Sequence, residues 1–319
     1  MIQLIFTGGT IAMRRDERAG GNVPAHDGNE LVRLAPGLSA LGPFVIDDWA
    51  RRPACHMTQA QHWALRNHVR DVMRKGRNIT GIVIAHGTDT LEETAYLLDR
   101  TLDTETPVAV TGAMLTSSDP GWDGPRNLTD AARVVAAPES RGRGAMVVFA
   151  GSVFQGREAV KVHATDPAAF GAPHGRPLAQ VDERGVRFRF DSAPAVRLEP
   201  EGLHVRVALV PMVVGDDGQL LDLARPAHDG VVVVAFGSGN VPPGALPAIR
   251  RWIAEGKPVV VASRCPMGQV SPVYAFEGGG ATLVRDGVVP AGPRTPGQAR
   301  MELIIALSTG VKYGEGTAE

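Results

Sequence analysis

Compact apolar runs at Ile2 to Phe6, Gly81 to Ala85, Pro107 to Val110 and Ala145 to Ala150 set the pattern of the first half of the chain. They are continuous rather than alternating, which predicts strands covered on both faces, as in a parallel sheet flanked by helices. Between them the spacing predicts a helix from Thr58 to about Met73, with Trp63, Val69, Val72 and Met73 facing inward and Lys75-Gly76 ending it. A second helix is predicted from Thr90, where Thr90-Leu91-Glu92-Glu93 has the spacing of a capping box and Leu91, Ala95, Leu98 and Leu102 form the apolar stripe. A third is expected to follow Asn127. From His163 to Arg206 the chain is rich in Pro, Gly and Arg and shows no helical period, so a linker or domain boundary is placed within it, near 190 to 205. The second half resumes with predicted strands at Val207 to Val213, Val231 to Phe236 and Pro258 to Ala262, and helices at Gly244 to Glu255 and Pro296 to Leu307. The expected class is α/β. A larger N-terminal domain (1–190) with a mainly parallel sheet precedes a linker (191–206) and a smaller C-terminal α/β domain (207–319).

Composition narrows the function more than the fold. The 319 residues carry a formal net charge of −1, which leaves no electrostatic footprint for nucleic acid or an anionic membrane. No apolar stretch has the length of a bilayer span. The first strand begins at Ile2, without room for a leader ahead of it, and this reads as a cytoplasmic protein. Cys55 and Cys265 are the only cysteines, so a disulfide framework or a zinc site is not expected. His56, His62 and His68 gather near one helix, but their spacing does not align them on one face, and no metal is predicted. Gly237-Ser238-Gly239 begins like a dinucleotide fingerprint, but Pro242 stands where its third glycine belongs. No cofactor is expected.

Two hydroxyl-bearing strings follow apolar runs and therefore fall at the carboxyl ends of buried strands, the active-site edge of an open α/β sheet. They are Thr7-Gly8-Gly9-Thr10 and His86-Gly87-Thr88-Asp89-Thr90. Gly8-Gly9 lets the backbone turn tightly and approach a ligand, which exposes the Thr10 hydroxyl; taken alone, it also reads as a plain glycine turn. Thr88-Asp89 joins a hydroxyl to a carboxylate just before a helix N-terminus; taken alone, Asp89 also reads as a cap. A threonine hydroxyl is a weak nucleophile until a neighbour takes its proton, and a desolvated lysine can do so. Lys161 is the candidate, in a chain whose only other lysines are Lys75, Lys257 and Lys312.

Together these residues resemble the bacterial-type asparaginase and glutaminase family over nearly the whole chain. Thr7 to Ala12 is similar to its first threonine motif, and Ile84 to Ala95 to its second. Val110 to Met114, Asp123 to Leu128, Gly156 to Lys161, Gly237 to Asn240 and Ser263 to Pro266 also match. The resemblance implies two α/β domains and a homotetramer built from intimate dimers. It further implies that Thr10 attacks the side-chain carboxamide of L-asparagine, expels ammonia and forms an acyl-enzyme that water hydrolyses. Thr88, Asp89 and Lys161 then shuttle protons; Ala54, Cys55, Gly87 and Ala113 contact substrate; and Asn240 is the residue a neighbouring subunit lends.

Two departures stand out. The loop from Met13 to Gly28 lacks the family's tyrosine, and Asn22 aligns there; Asn hydrogen-bonds but cannot serve as a phenolic base. The segment that normally presents hydrogen-bonding side chains to the substrate's α-groups reads Pro53-Ala54-Cys55-His56-Met57. Competing readings are an amino-acid-binding protein without turnover, an amidase of shifted specificity, and an ammonia-supplying amidotransferase subunit.

Overall fold

The structure, a computed structural model, describes residues 1–75, 78–192 and 196–313. The chain forms two compact units, Met1–Arg197 and Leu198–Glu319. The first begins with β1 (Ile2–Phe6), the hairpin β2 (Met13–Asp16) and β3 (Gly21–Pro24), α1 (Gly28–Leu34), β4 (Phe44–Asp47), α2 (Gln59–Lys75), β5 (Gly81–Ala85) and α3 (Leu91–Thr101). It continues with β6 (Val108–Thr111), α4 (Gly124–Ala136), β7 (Ala145–Phe149), β8 (Ser152–Gln155), β9 (Val160–Lys161), β10 (Phe170–Gly171), β11 (Ala179–Asp182) and β12 (Gly185–Phe188). Eight strands form one sheet in the order β12-β11-β8-β7-β6-β5-β1-β4. β4, β1, β5, β6 and β7 pair in parallel, and β8, β11 and β12 extend the sheet antiparallel.

The continuous apolar runs become doubly covered strands. In β1 and β5, Leu4, Phe6, Val83 and Ala85 enter a core with Leu31 of α1 and Leu128 and Ala131 of α4, while Ile5, Ile82 and Ile84 enter the opposite core with Leu65 of α2 and Leu91 and Leu98 of α3. The chain leaves β1 toward β4 on one side and returns to β5 on the other. The helices α1 and α3 that follow these loops cover opposite faces, so β1 and β5 flank a topological switch point.

The second unit contains β13 (Val207–Pro211), α5 (Gln219–Ala224), β14 (Gly230–Ala235), α6 (Leu246–Ala254), β15 (Val259–Ser263), α7 (Gly280–Arg285), β16 (Val289–Pro290) and α8 (Pro296–Thr309). Its four strands are all parallel, in chain order. The fully buried Trp252 of α6 donates its indole N–H to Leu221 O of α5 at 3.0 Å, which satisfies the ring's polar edge inside the core. The α/β class and the mainly parallel sheet of the larger unit are as the hydrophobic pattern predicts.

Several local expectations are corrected. The third helix starts at Gly124, ahead of Asn127, because Pro125 supplies a fixed φ in its first turn. In α2 the buried residues are His62, Leu65, Arg66 and Val69; Trp63 is only partly covered and lies under the Arg66 guanidinium. The helix is described as far as Lys75, and its expected end at Lys75-Gly76 borders residues 76–77, which lie outside the described residues. Thr90 forms no capping box: its hydroxyl donates to Ala54 O at 3.1 Å, so a tertiary contact overrides the local pattern. The stretch read as irregular beyond His163 supplies β10, β11 and β12. Of the segment 191–206, residues 193–195 lie outside the described residues.

Candidate active site

The loops leaving β1 and β5 meet through their glycines. Gly9 has φ +86°, and a Cβ built on it would lie 2.3 Å from Gly87 Cα; one built on Gly87 would lie 2.7 Å from the Ala54 Cβ and 3.1 Å from Gly9 Cα. Only residues without a β-carbon fit this approach. Thr7 fastens the first loop to the second, donating its backbone N–H to Ala85 O at 3.0 Å and its hydroxyl to the same oxygen at 3.2 Å. Thr10 opens a short 3-10 turn, Thr10–Ala12, directly after Gly9 and is partly exposed.

Thr88 is buried at the end of the second loop, and Asp89 beside it faces solvent. Lys161 of β9 reaches both: its ammonium donates to Thr88 Oγ1 at 2.9 Å and to Asp89 Oδ1 at 3.3 Å. The lysine side chain is 19% exposed and that of Asp89 59%, so the ion pair contributes little to stability. Its value lies in geometry. The arrangement holds an amine, a buried hydroxyl and a carboxylate in one chain of hydrogen bonds, next to the loop that carries a second hydroxyl. Such a set can move protons to and from a reacting hydroxyl.

A supporting network lies behind the Thr88 loop. The His86 ring is fully buried, with Nδ1 2.8 Å from Gly87 O and Nε2 3.1 Å from Thr94 Oγ1, which is 2.8 Å from His62 Nδ1. A carbonyl only accepts, so His86 Nδ1 carries the proton; Thr94 then donates to the bare Nε2 and accepts from His62. Burial holds the His86 pKa down at about 4, with the bond to Gly87 acting weakly in the other direction. Because the folded value lies below the ordinary 6.5, stability from this group is present above pH 6.5 and lost as pH falls toward 4. Relative to a His86→Gln variant, the wild-type protein is expected to lose stability across that window at up to about 1.4 kcal/mol per pH unit. Urea unfolding of both proteins over the window checks this, and parallel curves would contradict it.

Glu92, in the first turn of α3, accepts the backbone N–H of Lys161 through Oε2. Burial pushes its carboxyl up to about 7, opposed by the Lys161 N–H and charge and reinforced by Glu93. The sign is opposite to that of His86: this contribution is present below pH 4.5 and lost as pH rises through 7.

Beyond the triad, Ala113 is fully buried, in a loop fixed by Asp123, whose carboxylate accepts from the N–H groups of Met114 (3.0 Å) and Leu115 (2.9 Å). Asn127 donates to Gly112 O and to Asp123, and accepts from Ala150 N. Ala54 is buried against Gly87, whereas Cys55 and Asn22 are exposed. Asn240 belongs to the second unit, where its side-chain oxygen accepts from Gly280 N at 3.2 Å. His62 and His68 have separate partners, Thr94 and Asp47, and the described residues hold no cluster suited to a metal ion. A cleft lined by Gly8, Gly9, His26, Asp48, Arg51 and Arg52 lies against the Gly9 loop, and neither Thr88 nor Lys161 lines it. The sequence reading passed over Glu92 as a site residue, and over His86, Thr94, Asp123 and Asn127 as supports. His86, Glu92 and Thr94 fall within the matched string Ile84 to Ala95, and Asp123 and Asn127 within Asp123 to Leu128, but none of them was given a role in the site.

Comparison with known proteins finds relatives over nearly the whole chain. The family pattern described as asparaginase, N-terminal, matches residues 1–194, and that of the glutaminase/asparaginase C-terminal domain matches residues 206–315. The chain is 37% identical over 316 residues to a protein of Deinococcus radiodurans named probable L-asparaginase, covering 97% of this chain and 93% of that one. It is 31% identical to the L-asparaginase of Bacillus licheniformis, covering 99% and 97%. The crystal structure titled probable cytoplasmic L-asparaginase from Campylobacter jejuni matches with a TM-score of 0.87 at 26% identity, over 96% of this chain and 94% of that one. With both of its units matched and its two threonine loops joined at one sheet edge, the chain belongs to the asparaginase family.

Proposed function

We propose that the protein hydrolyses the side-chain carboxamide of L-asparagine to L-aspartate and ammonia. The observation that carries this reading is the Lys161–Thr88–Asp89 hydrogen-bond set at the loop that packs on Gly9. Thr10 is the nucleophile: its oxygen bonds to the amide carbon, its proton passes through the Thr88–Lys161 pair to the leaving nitrogen, and ammonia departs. Water then attacks the ester, giving its proton back along the same chain as Thr10 is released. Neutral Lys161 accepts along the hydrogen bond that its ammonium now donates. Asp89 orients the amine, and backbone N–H groups stabilise the tetrahedral oxyanion. Ala54, Cys55, Gly87 and Ala113 contact substrate, and no cofactor takes part.

The protein works as a cytoplasmic homodimer or homotetramer in which Asn240 completes a neighbour's site. For the cytoplasmic location, the support is that the Campylobacter jejuni relative is titled probable cytoplasmic L-asparaginase. The test is ammonia release from L-Asn, D-Asn, L-Gln and simple carboxamides. L-Asn is expected to give the highest kcat/KM. Binding of amino acids without product over a broad pH range would replace catalysis with ligand sensing, and preference for another amide would shift the specificity.

A further inference from the structure

Lys161 does not sit on the large sheet. Its strand, β9, has two residues and pairs only with the equally short β10, in the register Phe170↔Lys161 and Gly171↔Val160. Such a pair has little stability of its own and cannot by itself hold an amine to a fraction of an ångström. Just past β9, Val162 N donates to Ala169 O at 2.8 Å, which closes the turn, and Ala169 and Phe170 pack it into the core beside Phe149; this apolar packing anchors the turn but does not orient the backbone at Lys161. The bond that joins this excursion to the Thr88 loop through the backbone is the one from Lys161 N to Glu92 Oε2. Glu92 stands in the first turn of the helix whose N-terminus follows Thr88-Asp89-Thr90. The hydroxyl that the amine must reach and the acceptor that holds the amine's own backbone therefore lie four residues apart, at the end of one loop and in the first turn of the helix that follows it.

We propose, resting on the hydrolase reading above, that Glu92 is a positioning residue for Lys161: its carboxylate clasps β9 to the start of α3 and so places the Lys161 amine on Thr88. Side-chain to backbone bonds to a charged acceptor are about twice as strong as neutral ones and fix direction as well as distance. The charged groups facing Glu92 are Glu93 on its own helix and Lys161 on β9. On α2, packed alongside, His62 bonds to Thr94 and Arg66 to Thr101, both farther along α3. The raised pKa of the buried carboxyl gives the clasp a titration within reach of ordinary assay conditions. Ionised, Glu92 accepts from Lys161 N–H and lies beside a positive amine. Protonated, it keeps a weaker neutral acceptor and loses that charge.

The test uses the full-length protein with Glu92→Gln, which retains an amide oxygen as acceptor but does not titrate, and Glu92→Ala, which removes the acceptor. The chain has four lysines, so 15N spectra of the side-chain amines are simple, and Lys161→Met assigns the Lys161 signal. In the wild-type protein that signal is expected to shift with pH through an inflection near 7, and the inflection is expected to vanish in Glu92→Gln. In the L-asparagine assay, Glu92→Ala is expected to lose kcat by about 10²-fold at nearly unchanged KM, the scale of an ångström-sized misplacement. Glu92→Gln is expected to recover most of that loss with a flattened acid limb in its pH profile. Wild-type kcat in Glu92→Ala overturns the assignment. So does a Glu92→Gln as impaired as Glu92→Ala, or a Lys161 inflection that survives in Glu92→Gln. Should Glu92→Ala fail to fold, the Glu92→Gln spectrum and profile decide. A wild-type protein that releases no ammonia, yet shows the Lys161 inflection and its loss in Glu92→Gln, supports the clasp and overturns the hydrolase reading.

Discussion

Thr10→Ala is expected to lower kcat for ammonia release by about 10⁴-fold or more while the protein stays folded, as befits removal of a nucleophile rather than of a binding contact. The substitution deletes a hydroxyl and a methyl from a partly exposed residue. The turn that carries it is held by other groups. Ala12 N donates to Gly9 O at 3.0 Å, Ala12 O accepts from Ala25 N and His26 N, and Ile11 and Ala12 are buried in the core. None of these depends on the Thr10 side chain, so thermal unfolding of the variant is expected to coincide with that of the wild-type protein to within the small effects typical of surface changes. A coupled ammonia assay at saturating L-asparagine reads the loss. Activity within tenfold of wild type would move the nucleophile elsewhere, with Thr88 the next hydroxyl along the same edge.

The second large effect belongs to Lys161→Met, for which kcat is expected to fall by about 10³-fold with KM little changed, the middle of the range for removing a general acid–base group. Methionine keeps the length of the aliphatic stem and leaves the backbone N–H bond to Glu92 in place. What disappears is the amine that touches Thr88 Oγ1 at 2.9 Å and Asp89 Oδ1 at 3.3 Å. Asp89 is solvated enough to lose its partner at a cost of less than about 1 kcal/mol, so the fold is expected to survive. Circular dichroism and steady-state kinetics on the same preparation separate the two effects. An unchanged kcat would remove Lys161 from proton transfer.

How much of this was legible in the chain depends on the kind of contact. Strands covered on both faces leave continuous apolar runs, and β1, β5, β7 and β14 are found close to where those runs lie. β11 and β12, at the end of the sheet, alternate instead: Ala179, Val181, Val186 and Phe188 turn to the core between polar positions such as Asp182 and Arg187, so no continuous apolar run marks them. Thr90 shows local spacing yielding to the fold, because Ala54 O claims the hydroxyl that the helix start was expected to use. That the first and second threonine loops share one sheet edge was readable because each follows a buried apolar run; their contact through Gly9 and Gly87 was not, since a glycine alone does not say which backbone it meets. Lys161 stood out as one of few lysines in an arginine-rich chain, and resemblance to a family supplied its partners. Glu92 lies in the matched string Ile84 to Ala95, but nothing there names its partner. Its partner is a backbone N–H 69 residues away, which every residue but proline possesses, so no residue type at the far end announces the pairing. His86, His62 and Thr94 are likewise a buried network whose members, one by one, look like ordinary polar residues on a helix or at a strand end.

Catalysis as proposed has Thr10 attacking the amide beside a Thr88–Lys161 pair that handles protons. The most direct measurement is acid quenching of the wild-type protein during turnover of L-asparagine, followed by mass-spectrometric mapping of the peptides. An aspartyl ester on Thr10 is the predicted result. An ester on Thr88, with Thr10 unmodified, would contradict it.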